Sequence, residues 1–326
     1  MGLLVEGKWQ DKWYDTSKSG GKFVREESQF RGALGDSEHP LEKGRYQLYV
    51  SLACPWAHRA LIFRELKGLQ DLIDVSVVSP LMLEQGWTFD ARSGSTGDAL
   101  YQSDVMHQIY TRHKADYTGR VTVPVLWDAQ RECIVNNESS EIIRQFNSAF
   151  NEVTGNHDDY YPEDLRAEID EINEFVYHRI NNGVYKAGFA TTQSAYEEAY
   201  NSLFEALDTI ERKLVHQRFL VGDRITEADW RLFTTLIRFD PVYHGHFKCN
   251  RQRLEDFPAI AEYVRELYQW PGVEKTVNFD HIKQHYYRSH GTINPTGIVP
   301  VGPDIDFKRS HTRGLMAGVN AAGKSL

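Results

Sequence analysis

Cys54-Pro55-Trp56-Ala57-His58-Arg59 is the segment of this chain best equipped for chemistry. It follows the apolar run Tyr46-Gln47-Leu48-Tyr49-Val50-Ser51-Leu52-Ala53 and reads as a strand, a short turn and a helix that begins just after a cysteine. A thiol at a helix N-terminus faces backbone N–H groups with no partner inside the helix, and the positive end of the helix dipole. Both favour the thiolate, and such settings lower a cysteine pKa from ~8.5 to roughly 3.5–7.5. Pro55 suits the first helical turn, where its missing N–H costs nothing. Arg59 adds positive charge close by. The expectation is a reactive thiolate.

The other two cysteines read differently. Cys133, in Cys133-Ile134-Val135, is expected to be a buried filler. Cys249 lies among His244, His246 and Lys248. Three cysteines do not make a disulfide framework, so a reducing, cytoplasmic setting is expected. With 326 residues, 41% hydrophobic and 12% aromatic, the chain can bury one large or two ordinary cores. Its net charge of −9 argues against a general nucleic-acid binder. No apolar run approaches the ~18 residues of a membrane span. Met1 to Lys8 lacks a secretory hydrophobic region, and Glu6 stands where a myristoylation signal needs Ser or Thr.

The surrounding elements follow from pattern. Residues 1–45 are polar and Gly-rich and read as an extended arm without a core of its own. Tyr46–Ala53 is the first strand, Trp56 to about Lys67 the first helix, and Ile73–Val78 a second strand by its β-branched alternation. A long connection from Ser79 to about Gly97 carries Gly86-Trp87-Thr88-Phe89, and loops of that length are usually functional or disordered. Asp104–His113 is a second helix, capped by Ser103. The strand Arg120–Asp128 is interrupted at Val123-Pro124, which marks an edge, a strand start or a special turn, a cis bond among them. A short strand at Glu132–Val135 precedes a helix entered through Asn136-Asn137-Glu138-Ser139. The order β-α-β-α-β-β-α, with a cysteine at the first helix and a proline before the third strand, describes a thioredoxin-like layer. From Glu163 to about Tyr268 apolar residues recur at helical spacing, as at Leu165, Ile169, Ile172 and Val176. Thr226-Glu227-Ala228-Asp229 is a capping box, with Ile225 and Trp230 as its hydrophobic staple.

A thioredoxin-like domain followed by an all-helical domain resembles the glutathione transferase (GST) fold. Val123-Pro124, Glu138-Ser139 and the Thr226–Asp229 box match that superfamily. The Cys54–Arg59 run, Gly86–Phe89, the N-terminal arm and the Tyr-rich C-terminal part resemble the glutathionyl-hydroquinone reductases, or Xi class. The expected fold is α/β plus all-α: an arm over 1–45, a thioredoxin-like glutathione-binding domain over 46–160, an all-helical GST C-terminal domain over 161–290 and an irregular tail over 291–326. The resemblance also implies a homodimer built largely through the helical domain.

What the resemblance implies for the site is specific. Glutathione is the co-substrate. Ser139 and the helix N–H groups behind it would take its γ-glutamyl carboxylate, with Glu138 on the amine; plain helix capping is the alternative. The Val123 backbone would pair with the cysteinyl backbone like an added strand, a strip extended to Arg120, Val121 and Thr122. Arg120 could also meet the glycyl carboxylate. Trp87 would close the site, or be a core aromatic. Cys54 would form a mixed disulfide with glutathione. Tyr185 would be the proton donor and acceptor. Tyr243 and Tyr286 would hydrogen-bond the thiolate or substrate oxygens, with Tyr287 as a spare candidate. Neither His244, His246 and Cys249 nor the pair His281 and His285 has a zinc spacing; they read as polar residues lining a cleft, and no metal is expected. The competing functions are an omega-like thiol transferase or dehydroascorbate reductase, and a non-catalytic GST-fold binding module.

Overall fold

The computed structural model describes residues 2–326. It contains two compact units: Met1–Trp13, Arg25–Asn156 and Thr276–Val299 form one, and Tyr14–Val24, His157–Lys275 and Pro300–Leu326 the other. The linear division expected from sequence does not describe these units, because both the arm and the segment after residue 275 are shared out between them.

The first unit opens with a hairpin, β1 (Leu3–Val5) and β2 (Lys8–Gln10). Gly7 turns it at a φ of 72°, and a Cβ there would lie 1.9 Å from the Ala115 carbonyl oxygen. There follow β3 (Tyr46–Val50), α1 (Pro55–Leu66), β4 (Ile73–Val77), α2 (Met106–His113), β5 (Gly119–Arg120), β6 (Val125–Asp128), β7 (Cys133–Asn136), α3 (Ser139–Ser148) and the single turn α4 (Asn151–Thr154). The main sheet has the order β4-β3-β6-β7, with β3 parallel to β4 and antiparallel to β6. The parallel pair is joined through α1, as a crossover requires. All of β3 is buried, which fits its near-continuous apolar run; its one polar residue, Gln47, donates to Ser76 Oγ at 2.9 Å. The arm is not a bare extension: β1 pairs with β5 to make a second sheet of order β2-β1-β5, and Leu4 is fully buried.

Three local expectations are corrected. α2 starts at Met106, because the Gln108 side chain reaches back to the Asp104 and Val105 N–H groups, while Asp98 holds Ser103 in the preceding loop. The strand expected over Arg120–Asp128 is two short strands, separated by a cis Val123–Pro124 bond. Cys133 is only partly buried, because β7 is an edge strand, and desolvation still pushes its thiol pKa up.

The second unit is helical: α5 (Arg166–Val176), a π-helical turn at Tyr177–Asn181, α6 (Gly183–Gly188), α7 (Gln193–His216), α8 (Glu227–Leu236), a second π-helical turn at Phe239–Tyr243, and α9 (Pro258–Tyr268). Leu203, Leu207, Ile210 and Leu214 bury one stripe of α7. The capping box holds: Asp229 accepts from the Thr226 N–H at 2.8 Å, and Ile225 and Trp230 are fully buried. From the tail, Arg313 donates to the Leu214 and Gln217 carbonyls at the end of α7.

α10 (Phe279–Ser289) belongs to the first unit. His285 Nδ1 lies 2.9 Å from the Pro80 carbonyl oxygen, and Ser289 Oγ accepts from the Met82 N–H at 3.0 Å. Just before α10, the Thr276 hydroxyl meets His58 Nε2 at 2.8 Å. These side-chain bonds, invisible to helical periodicity, draw the segment to the thioredoxin-like layer.

Candidate active site

Cys54 is the N-cap of α1, with Pro55 at the first helical position. Its sulfur lies 3.5 Å from the Val123 carbonyl oxygen, to which the thiol donates. The nucleophile candidate is therefore joined to the residue before the cis proline. The Val123 N–H finds no acceptor among the described residues, although Val123 is only 5% exposed. A buried donor of that kind costs free energy unless something pairs with it. Val123 thus offers the open backbone edge that an added extended peptide needs.

The strip leading to Val123 is held from both sides. The Tyr110 hydroxyl donates to the Thr122 carbonyl at 2.9 Å and accepts from the Thr122 N–H at 3.2 Å. Asn137 Nδ2 donates to the same hydroxyl at 3.3 Å. Val121 is buried, and Arg120 is nearly so. The Arg120 guanidinium donates to the Lys12 carbonyl at 2.6 Å and the Trp13 carbonyl at 3.4 Å, and pairs with Glu26 at 3.2 Å. In this structure it fastens the arm, and a glycyl carboxylate would have to displace some of those bonds.

At the start of α3, Glu138 is the N-cap. Its Oε1 accepts from the Ser140 N–H at 3.0 Å, and its Oε2 accepts from the Ser28 hydroxyl at 3.1 Å. The capping alternative is thus realised, with a second carboxylate oxygen facing a serine from the arm. Ser139 is buried and accepts from Arg59 Nη1 at 3.4 Å. The Arg59 guanidinium also sits 4.5 Å from the Trp56 ring centroid, and Arg25 lies 5.0 Å from that ring. A helix N-terminus flanked by buried arginine suits a carboxylate.

Trp87 is 4% exposed and stacks on His285, with ring centroids 4.9 Å apart and an interplanar angle of 21°. His285 meets Tyr286 edge-on at 5.0 Å, and Tyr286 meets His290 at 5.6 Å. Tyr286 thereby joins the aromatic cluster on Trp87. The arm braces the same connection: the Trp9 indole donates to the Glu84 carbonyl at 2.9 Å and stacks on His107.

Tyr185 and Tyr243 lie in the second unit, their ring centroids 6.0 Å apart. Tyr185 comes shortly after the first π-helical turn and Tyr243 is the last residue of the second, a feature that is frequent at functional sites. Phe247 stacks on Tyr243 at 5.4 Å, and Gly188 makes room for it, since a Cβ there would lie 2.2 Å from the ring. His246 and Cys249 are core residues here, not lining of a cleft: burial drives the His246 pKa down to about 4 and the Cys249 thiol far up. Among the described residues no group of three or more His, Cys, Asp or Glu is placed to hold a metal.

Comparison with known proteins decides the family. The glutathione S-transferase N-terminal domain family matches residues 53–149, and the C-terminal domain family residues 193–266. The glutathionyl-hydroquinone reductase YqjG of Escherichia coli is 54% identical over 98% of this chain and 100% of its own. The glutathionyl-hydroquinone reductase PcpF of Sphingobium chlorophenolicum is 55% identical, over 93% and 96%. The chain belongs to the glutathionyl-hydroquinone reductase family. The glutathione-bound structure of YqjG superposes with a TM-score of 0.88 at 51% identity, covering 96% of this chain and 99% of that one. Sequence reasoning on this reductase-family member missed His285 as a neighbour of Trp87, Tyr110 as a support of the strip and Ser28 as a partner of Glu138. The buried stripe His281, Ile282, His285 and Tyr286 on α10 was the signal that pointed to the first of these.

Proposed function

We propose that this protein reductively removes glutathione from glutathionyl-hydroquinones through a mixed disulfide at Cys54. The observation that carries the reading is Cys54 at the α1 N-terminus, bonded to Val123 beside an open backbone donor, in a chain about 55% identical to reductases of that name. The Val123 N–H, the Ser139 end of α3 and the buried arginine behind it fit a tripeptide with a carboxylate at one end and an extended backbone in the middle.

In this reading Val123, Thr122, Val121 and Arg120 form the backbone strip for glutathione, Ser139 and Glu138 hold its γ-glutamyl end, and Trp87 closes over it. Tyr185 gives a proton to the ring carbon that carries sulfur, which yields a keto tautomer. The Cys54 thiolate attacks the glutathione sulfur. The carbon–sulfur bond breaks, and its electron pair returns to the ring, which takes up a proton on oxygen and leaves as hydroquinone. Carbon is a poor leaving group from sulfur unless its charge spreads onto such a carbonyl, so a proton donor and hydrogen bonds to the oxygens are required. Tyr243 and Tyr286 supply those bonds to the thiolate or to substrate oxygens. A second glutathione thiolate attacks the glutathione sulfur of the mixed disulfide and releases Cys54 with oxidised glutathione. Net, one adduct and one glutathione give one hydroquinone and one disulfide.

A homodimer in the cytoplasm completes the proposal, supported by the family resemblance and by three cysteines outside any disulfide. No helix among the described residues is long and apolar enough to cross a membrane.

The test compares turnover of a glutathionyl-hydroquinone with that of a simple glutathione mixed disulfide, for the native chain and Tyr185→Phe. The expected result is a large preference for the hydroquinone adduct, lost in the variant, with the mixed-disulfide rate spared. Equal rates on both substrates and an indifferent Tyr185→Phe would assign an omega-like thiol transferase instead.

A further inference from the structure

We infer that His285 is a positioning residue that sets Trp87 and Tyr286 together, so that one imidazole couples the grip on glutathione to the hydrogen bond made at the reacting atoms. The inference rests on the roles proposed above for Trp87 and Tyr286.

The ring of His285 is held on several sides. It is 6% exposed, and its Nδ1 lies 2.9 Å from the Pro80 carbonyl oxygen. A carbonyl can only accept, so Nδ1 carries the proton and the tautomer is fixed. Ser289 Oγ lies 3.5 Å from the same nitrogen and accepts from the Met82 N–H, which ties the backbone at residues 80–82 to the end of α10. With its plane so fixed, the imidazole offers one face to Trp87, at 4.9 Å and 21°. Tyr286 stands against it at 76° and 5.0 Å. His290 closes the group, 5.5 Å from His285, and Trp13 from the arm leans on His290 at 6.0 Å.

The geometry makes His285 a hinge pin for the connection after β4. That connection is bonded to the imidazole edge at Pro80 and stacked on the imidazole face at Trp87. A phenylalanine would keep the face and lose the edge; an asparagine would keep a donor and lose the face. A residue that merely filled the space would not need both.

The experiment uses the full chain with glutathione and a glutathionyl-hydroquinone. Single-turnover formation of the Cys54 adduct reads the first half-reaction; half-saturating glutathione reads the second. His285→Ala is expected to slow the first and to raise the second, each about three- to tenfold, the scale of one lost aromatic contact. In a Trp87→Ala background the effect on half-saturating glutathione disappears; in a Tyr286→Phe background the effect on adduct formation disappears. His285→Phe, which keeps the core filled, retains part of the glutathione grip and serves if the alanine variant does not fold. Wild-type values in a folded His285 variant would overturn the inference, as would effects that persist undiminished in both backgrounds. If Trp87→Ala and Tyr286→Phe leave wild-type kinetics, the roles it rests on fall, and it falls with them. If those two behave as expected and only His285 is silent, the proposed function stands without it.

Discussion

The Cys54 thiol and the Val123 carbonyl share one hydrogen bond of 3.5 Å, so the proposed nucleophile is bonded directly to the backbone proposed to receive glutathione. A thiolate has no proton to donate. Ionisation of Cys54 therefore frees the Val123 carbonyl just as the sulfur becomes nucleophilic, and the carbonyl and N–H of Val123 then offer an acceptor and a donor to the same extended peptide.

The strip that carries Val123 depends on a buried phenol. Removing the Tyr110 hydroxyl strands the Thr122 N–H, its former donor partner Asn137 Nδ2, and the acceptor at the Thr122 carbonyl. Tyr110→Phe is expected to cost roughly 1–3 kcal/mol in urea unfolding. Half-saturating glutathione should rise at least about twofold, a few tenths of a kcal/mol. Unchanged glutathione binding in the destabilised variant would show that the strip keeps its geometry without the phenol.

Asp229 organises the second unit. It accepts from the Leu220 N–H, the Thr226 N–H and the Tyr263 hydroxyl, each at 2.8 Å, and is fully buried. Asp229→Ala leaves these donors unpaired and removes a helix cap, so a loss of roughly 2–4 kcal/mol is expected. A loss below about 0.5 kcal/mol, the size of an ordinary surface substitution, would refute that role.

Two buried groups in the second unit give opposite pH slopes. Burial lowers the His246 pKa from 6.5 to about 4. The folded chain then binds this proton less readily than the unfolded chain, so stability falls as pH drops from about 6.5 towards 4. Burial raises the Asp229 carboxyl from 3.8 to about 6, against the hydrogen bonds from Leu220 and Thr226. The folded chain holds that proton more tightly, so stability falls as pH rises from about 4 to about 6. His246→Asn should remove the first slope, a difference from the native chain approaching about 3 kcal/mol at pH 4. Parallel pH profiles for the variant and the native chain would contradict it.

Much of this was legible in the sequence because local physics and function agree there. The apolar run before Cys54, Pro55 at the first helical turn and the Thr226–Asp229 box each announce their structure. The failures have a common cause. The arm reads as unstructured because two three-residue strands carry almost no periodic signal until β5 pairs with them. The helix at Phe279–Ser289 reads as part of the helical domain because its periodicity is the same wherever it packs; side-chain bonds from His285 and Ser289 to residues 80–82 place it in the first unit. Glu138 allowed two readings from sequence, an amine ligand and a plain helix cap; its Oε1 makes the cap, and its Oε2 faces Ser28 from the arm, a contact too long in range for local pattern to show.

The central claim is a covalent bond between Cys54 and glutathione. One equivalent of a glutathionyl-hydroquinone, mixed with the protein in the absence of free glutathione, should release hydroquinone in step with a protein adduct of one glutathione mass, mapped by peptide mass spectrometry to Cys54. Added glutathione should then discharge it as oxidised glutathione, and Cys54→Ala should do neither. Hydroquinone release without an adduct at Cys54, or undiminished release by Cys54→Ala, would contradict the account.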